Sequence, residues 1–176
     1  ISSCQTISVA GNYQLNQSLA SSGNSCITIN VNNVIFDLNG FSISNSTNIN
    51  TANIELSLVT NNVTITNGTL NNSYYAIHGT SLSGIEISRI IISNNIYGII
   101  INSGTNFNIS YNNINVKTQG IFFGSSSNNN IIRWNNITGI NSSGTYAIQL
   151  HTGGNFNDIS YNFIYNNYQI GIGLLI

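Results

Sequence analysis

The sequence predicts an all-β fold, a solenoid of short stacked strands, and three observations predict it. First, five successive segments, 61–82, 83–104, 105–127, 128–154 and 155–176, repeat one pattern: apolar-x-Ile-polar, a further apolar residue, a polar bend, then Gly or Ala followed by Ile. FNISYNNI, NIIRWNNI and NDISYNFI are its clearest copies. Second, apolar residues within a copy lie two apart, as in Ile85 and Ile87, Phe107 and Ile109, Ile99 and Ile101, or Ile121 and Phe123. That is the period of a pleated strand, and a helix would need another spacing. Third, Ile and Asn dominate a chain with no Pro and no Met. β-Branched residues suit stacked strands, and Asn accepts the left-handed backbone that sharp corners demand. A coil of this kind cannot bury its own inner face, so the coils have to stack.

Along the chain, residues 1–32 are expected to form an amino-terminal cap ahead of the coils at 33–176, since an open solenoid end exposes apolar interior and unpaired strand edges. The cap holds an extended piece near Gln5 to Val9, a turn at Gly11 and Asn12, and a short element from Tyr13 to Leu19. It also holds both cysteines, Cys4 and Cys26. A disulfide between them would close a loop of about 22 residues, stabilise by about 3 kcal/mol and suggest an oxidising compartment; two unrelated buried thiols are the alternative. Next, Val34, Phe36 and Leu38 alternate before Asn39 and Gly40 turn a corner and Ile43 resumes the inner row. Residues 44–53 are expected to leave the coil as an edge loop, and 138–145 to do the same in the fourth repeat.

The stretch GNYQL, a loop, CITI and then VIFDLNGFSI resembles the opening of right-handed parallel β-helix repeat proteins of the pectin-lyase-like superfamily. The resemblance covers essentially the whole chain and implies a right-handed, single-stranded parallel β-helix. It marks architecture better than activity. Members that cleave acidic polysaccharides use clustered aspartates, either to hold calcium beside a basic residue or to hydrolyse the glycosidic bond. Here the carboxylates are only Asp37, Glu55, Glu86 and Asp158. Asp37 falls in the first coil and Asp158 in the last, and Glu86 points outward with Arg89 as a nearby counter-charge. His78 and His151 lie three coils apart, too far to share one ion. Copper-handling relatives would be expected to show Met or His clusters, which this chain lacks. The expectation is therefore a non-catalytic member with no metal and no cofactor.

Other columns follow from aligning the copies. Arg89, Tyr111, Trp134 and Tyr161 share a corner position, and the three rings make either a stiffening stack or a platform for sugar. Beside them Asn112, Asn135 and Asn162 suit an amide ladder. Outward Ile100 and Phe122 should be vertical neighbours in a small apolar patch, a candidate partner contact. Sequons for N-glycosylation occur at Asn16, Asn45, Asn62, Asn67, Asn71, Asn108, Asn136 and Asn141. Their number is what composition alone would give, but several fall at bends or outward positions.

Only 4% of residues are charged and the net charge is −1. Such a chain lacks the cationic surface for nucleic acid or anionic membrane, and no apolar run is long enough to span a bilayer. The amino terminus lacks the basic start and long apolar run of a signal peptide, and reads as processed or as a domain excised from something longer. At the other end Ile170, Ile172, Leu174 and Ile176 continue an inner row with no coil above it, to be covered by another subunit or by further sequence. Together these lead to the expectation of a secreted or cell-surface structural protein. It would be glycosylated and self-associating as a homo-oligomer or homopolymer, with a filament as one form. A carbohydrate-binding or polysaccharide-degrading module, or a fragment of a larger adhesin or surface-layer protein, is the alternative.

Overall fold

The computed structural model describes residues 1–45, 50–57, 61–168 and 170–174. Among them there is no helix, and nineteen strands wind into about seven turns of a parallel β-solenoid. The strands fall into three walls, in each of which every rung pairs in parallel with the next. The first wall holds β1 (Gln5–Ile7), β4 (Ile27–Ile29), β7 (Ala52–Leu56), β9 (Tyr75–Gly79), the end of β10 (Leu82–Ile101), the end of β13 (Asn113–Phe123), β16 (Tyr146–Leu150) and β19 (Ile170–Leu174). The second holds β2 (Gly11–Gln14), β5 (Val34–Asp37), the start of β8 (Asn61–Asn71), part of β10, β12 (Asn108–Ser110), β14 (Ile131–Arg133) and β17 (Asp158–Ser160). β3 (Leu19–Ser21), β6 (Ser42–Asn45), the end of β8, part of β10, the start of β13, β15 (Asn136–Thr138) and β18 (Phe163–Ile164) make the third. The short β11 (Gly104–Thr105) adds one further pairing to β10.

Register explains why Ile is so abundant. In the first wall Ile27, Ile54, Ile77, Ile99, Ile121 and Ile148 are directly paired rung to rung, and all six are fully buried. Each buried Ile contributes about 2 kcal/mol, and its branched Cβ fits the pleat. Next to this row the backbones approach closely. A Cβ at Gly98 would collide with the carbonyl oxygen of Gly120, and one at Gly120 would come within 2.5 Å of that of Ala147.

Corners explain the Asn. Between the first and second walls Asn33, Asn62, Asn106 and Asn129 have φ of 56–59°, and between the third and first Asn50, Asn72, Asn94 and Asn166 have φ of 50–59°. Asn tolerates this left-handed conformation better than most residues. The residue after the bend then locks one coil to the next. Asn112 Nδ2 donates to Ile87 O, Asn135 Nδ2 to Ile109 O and Asn162 Nδ2 to Ile132 O, at 2.7–2.9 Å. In return the backbone N–H groups of Ile90, Asn112 and Asn135 donate to Asn112, Asn135 and Asn162 Oδ1 at 2.9–3.0 Å. Asn95, Asn130, Asn157 and Asn167 do the same at other corners. The expected ladder is therefore real, and it is a device of all three corners.

Several expectations change. Residues 1–32 carry rungs of their own, β1, β2 and β3 pairing with β4, β5 and β6, so they build the first coil of the stack; Gly11 and Asn12 open strand β2. The Ile1 ammonium donates to Gln14 O, Asn16 N donates to Ile1 O, and Ile1 and Cys4 pack against the core. A disulfide joins Cys4 to Cys26, so neither is a free thiol. The loop expected at 44–53 is shorter, because Ser44 and Asn45 belong to β6 and Ala52 and Asn53 to β7. Its middle, 46–49, lies outside the described residues, as do Ile176 and the side chain of Ile170.

Candidate functional site

The second-to-third-wall corner carries the most unusual surface. Asn39 and Asn67 hold its left-handed position in the upper coils, and Arg89, Tyr111, Trp134 and Tyr161 hold it below, with φ of 52–59° in those four. Bulky residues there are uncommon, because the Cβ crowds the backbone. The rings are stacked: Tyr111 and Trp134 lie 5.0 Å apart and Trp134 and Tyr161 5.8 Å apart, each pair within 12° of parallel. The Arg133 guanidinium sits 6.0 Å from the Trp134 ring and pairs with Asp158. The bond from Arg133 holds the Asp158 carboxyl below its ordinary range and raises the guanidinium. Face-to-face stacking decides what the column can do. A sugar needs an open ring face, and here the inner faces cover one another.

On the outer face of the first wall, Glu55, His78, Ile100, Phe122 and Gln149 are vertical neighbours. The pairing of Ile100 with Phe122 is as expected, but Ile100 is only 7% exposed, which makes it a poor partner contact. Sequence comparison missed what lies above it. Glu55 accepts from His78 Nδ1 at 2.9 Å, and Tyr75 stacks on the imidazole at 4.6 Å. Tyr74, Tyr75 and Tyr97 complete a cluster with centroids 4.7–5.4 Å apart. Burial raises the phenols of Tyr75 and Tyr97, helped by the Tyr74 hydroxyl nearby. The available signal was Ile54–Glu55–Leu56 above Ile77–His78–Gly79, hidden because the preceding loop breaks the repeat length.

The remaining carboxylates stay apart. Asp37 accepts from Asn39 N, Asn67 Nδ2 and Gln14 Nε2, bonds that tie one coil to its neighbours. Glu86 accepts from Ser88 Oγ at 3.4 Å. The counter-charge expected from Arg89 is not formed, since the ion pairs among the described residues are His78 with Glu55 and Arg133 with Asp158. No group of three His, Cys, Asp or Glu among the described residues is placed to hold a metal. His151 is remote from His78, near Phe122 and Ser125.

The sequon asparagines divide clearly. Asn16, Asn62, Asn67, Asn108 and Asn141 are exposed, and Asn71 and Asn136 are half-buried. Asn45 is 2% exposed and its Nδ2 donates to Asn24 O and Thr51 Oγ1, so its amide is already committed inside the fold. None of the eight lies on a strand of the first wall.

Fold and surface together define a parallel β-solenoid of asparagine-cornered coils. Comparison with protein-family models, curated proteins and solved structures finds no match.

Proposed function

We propose that this chain is a structural shaft of the secreted or cell-surface kind, N-glycosylated and built to associate with its own kind. The observation that carries the reading is dispersal. The few ionisable groups sit on different walls and coils or are tied into structural bonds, while neutral amides and hydroxyls cover the outside. Catalysis on polysaccharide needs convergent carboxylates, whereas a rigid, inert support needs what this shaft has: laddered corners, in-register rows and a disulfide. Sugars on the outward asparagines would hydrate a surface with almost no charge and block edge pairing. The disulfide supports a secreted or surface location, because such bonds persist in oxidising compartments.

Secretion from a glycosylating host, glycopeptide mass mapping and solution mass measurement test it. Glycan is expected on exposed sequons such as Asn108 and Asn141, none on Asn45, and a mass above that of one chain. Bare asparagines with a monomeric mass, or turnover of a polysaccharide, would overturn the reading.

A further inference from the structure

Nine tyrosines are spread over the chain, yet among the described residues ring contact between one tyrosine and another occurs only at Tyr74, Tyr75 and Tyr97. Backbone pairing holds this cluster together. Tyr75 and Tyr97 are partners in register on the first wall, and Tyr97 N donates to Tyr74 O at 2.9 Å, so the rings of one coil are fixed against those of the next. Tyr75 is paired on its other side with Ala52, and Tyr97 with Gln119, which confines the cluster to two coils. All three side chains are half-buried. Packing alone would be served as well by Phe, and drawing three phenolic hydroxyls partly out of water carries a desolvation cost. What Tyr offers beyond Phe is a phenol that can be oxidised by one electron.

The three contacts differ in what they allow. Tyr74 and Tyr75 meet edge to face at 85°, which aims a ring edge at a ring centre. Tyr75 is also stacked on His78 at 4.6 Å, and His78 is itself tied to Glu55. Tyr74 and Tyr97 lie 5.2 Å apart and are tilted by 53°, with the Tyr74 hydroxyl close enough to help raise the Tyr97 phenol. Neighbouring hydroxyls bring with them the ring carbons ortho to them. We propose that Tyr74 and Tyr97 form a site of oxidative coupling, joined through those ortho carbons by a haem peroxidase acting with hydrogen peroxide. Each phenol gives one electron to the oxidant and its proton to water. The two phenoxyl radicals pair their electrons in a carbon–carbon bond, and each ortho hydrogen then moves to the oxygen of its own ring, restoring both aromatic rings and both hydroxyls. The chain loses two hydrogens, and hydrogen peroxide takes up two electrons and two protons to become two waters. Holding the rings in contact makes the coupling intramolecular. The product is a covalent rung between coils that the Cys4–Cys26 disulfide does not join, and it needs no association between chains.

The test treats the full chain, at low concentration, with a haem peroxidase and hydrogen peroxide, and compares its mass with that of the untreated chain after both are reduced alike. Expected are a single chain lighter by two hydrogens, dityrosine fluorescence, and a cross-linked peptide that joins Tyr74 to Tyr97. Tyr74→Phe and Tyr97→Phe should each lose all three signals, whereas Tyr75→Phe and Tyr111→Phe keep them. Circular dichroism and an unfolding midpoint close to the parent's would show that the silent variants are folded, since Phe keeps the ring and drops only the hydroxyl. An unmodified chain, coupling only between chains, coupling centred on other tyrosines, or a bond that survives in Tyr74→Phe or Tyr97→Phe would overturn the inference.

Discussion

Tyr111, Trp134 and Tyr161 each hold a backbone conformation that costs an L-residue about 1–2 kcal/mol, and each ring stack returns about 0.5–1.5 kcal/mol. For Trp134, with a ring on either side, the two effects nearly cancel. Trp134→Asn should therefore shift the unfolding free energy by less than about 1 kcal/mol, because Asn relaxes the corner as the stacks are lost. Trp134→Ala, which loses the stacks and keeps the strain, should fall about 1 kcal/mol or more below the Asn variant in denaturant titration. If the column were a sugar platform, either change would instead abolish polysaccharide binding. A second residue-scale outcome concerns alkali. The phenols of Tyr75 and Tyr97 are raised above the ordinary 10.0 by burial. Their contribution is thus complete below pH 10.0 and is lost as pH climbs through the raised values. Thermal melts of the Tyr75→Phe, Tyr97→Phe double variant should lose less stability above that pH than the parent. The ring column was legible in the sequence because its members recur at one repeat position. The Glu55, His78 and tyrosine cluster was not, because it depends on a register that an irregular loop displaces.

At the scale of one element, the corner ladder is where the fold is most sensitive. Asn135 is 1% exposed, and its side chain bonds the backbone of the coil above, the Asn162 amide oxygen of the coil below and the backbone of its own turn. Asn135→Ala would strand several buried donors and acceptors at once, each costing about 1–3 kcal/mol, so a loss of about 3 kcal/mol or more is expected by chemical denaturation. A loss under about 1 kcal/mol would mean that water replaces the amide without penalty. The strands were largely legible, since alternation such as Ile85 and Ile87 marks inner positions regardless of neighbours. Exposure was less so. Ile100 alternates as an outward residue should, yet vertical neighbours cover it, and vertical neighbours follow from coil length rather than local pattern. The burial of Asn45 was hidden for the same reason: its sequon is local, and its contacts are with Asn24 and Thr51.

For the whole molecule, stacking was predictable from the repeat, while the nature of the first 32 residues was not. They lack the repeat's wording and still fill the same three walls, because wall geometry asks for parallel edges and an inward apolar residue rather than a particular sequence. That architecture has a mechanical corollary. Hydrogen bonds between rungs run along the shaft, so tension applied at its two ends loads them one coil at a time, as a zipper, instead of shearing many together. A released coil of about 22 residues lets out roughly 75 Å of slack. Pulling in an optical trap should give a sawtooth of small, evenly sized extensions, shorter by about one such step until a reductant opens the loop between Cys4 and Cys26. A shaft of this kind would yield gradually under load and rewind when it is released, dissipating a tug that would snap a stiffer tether.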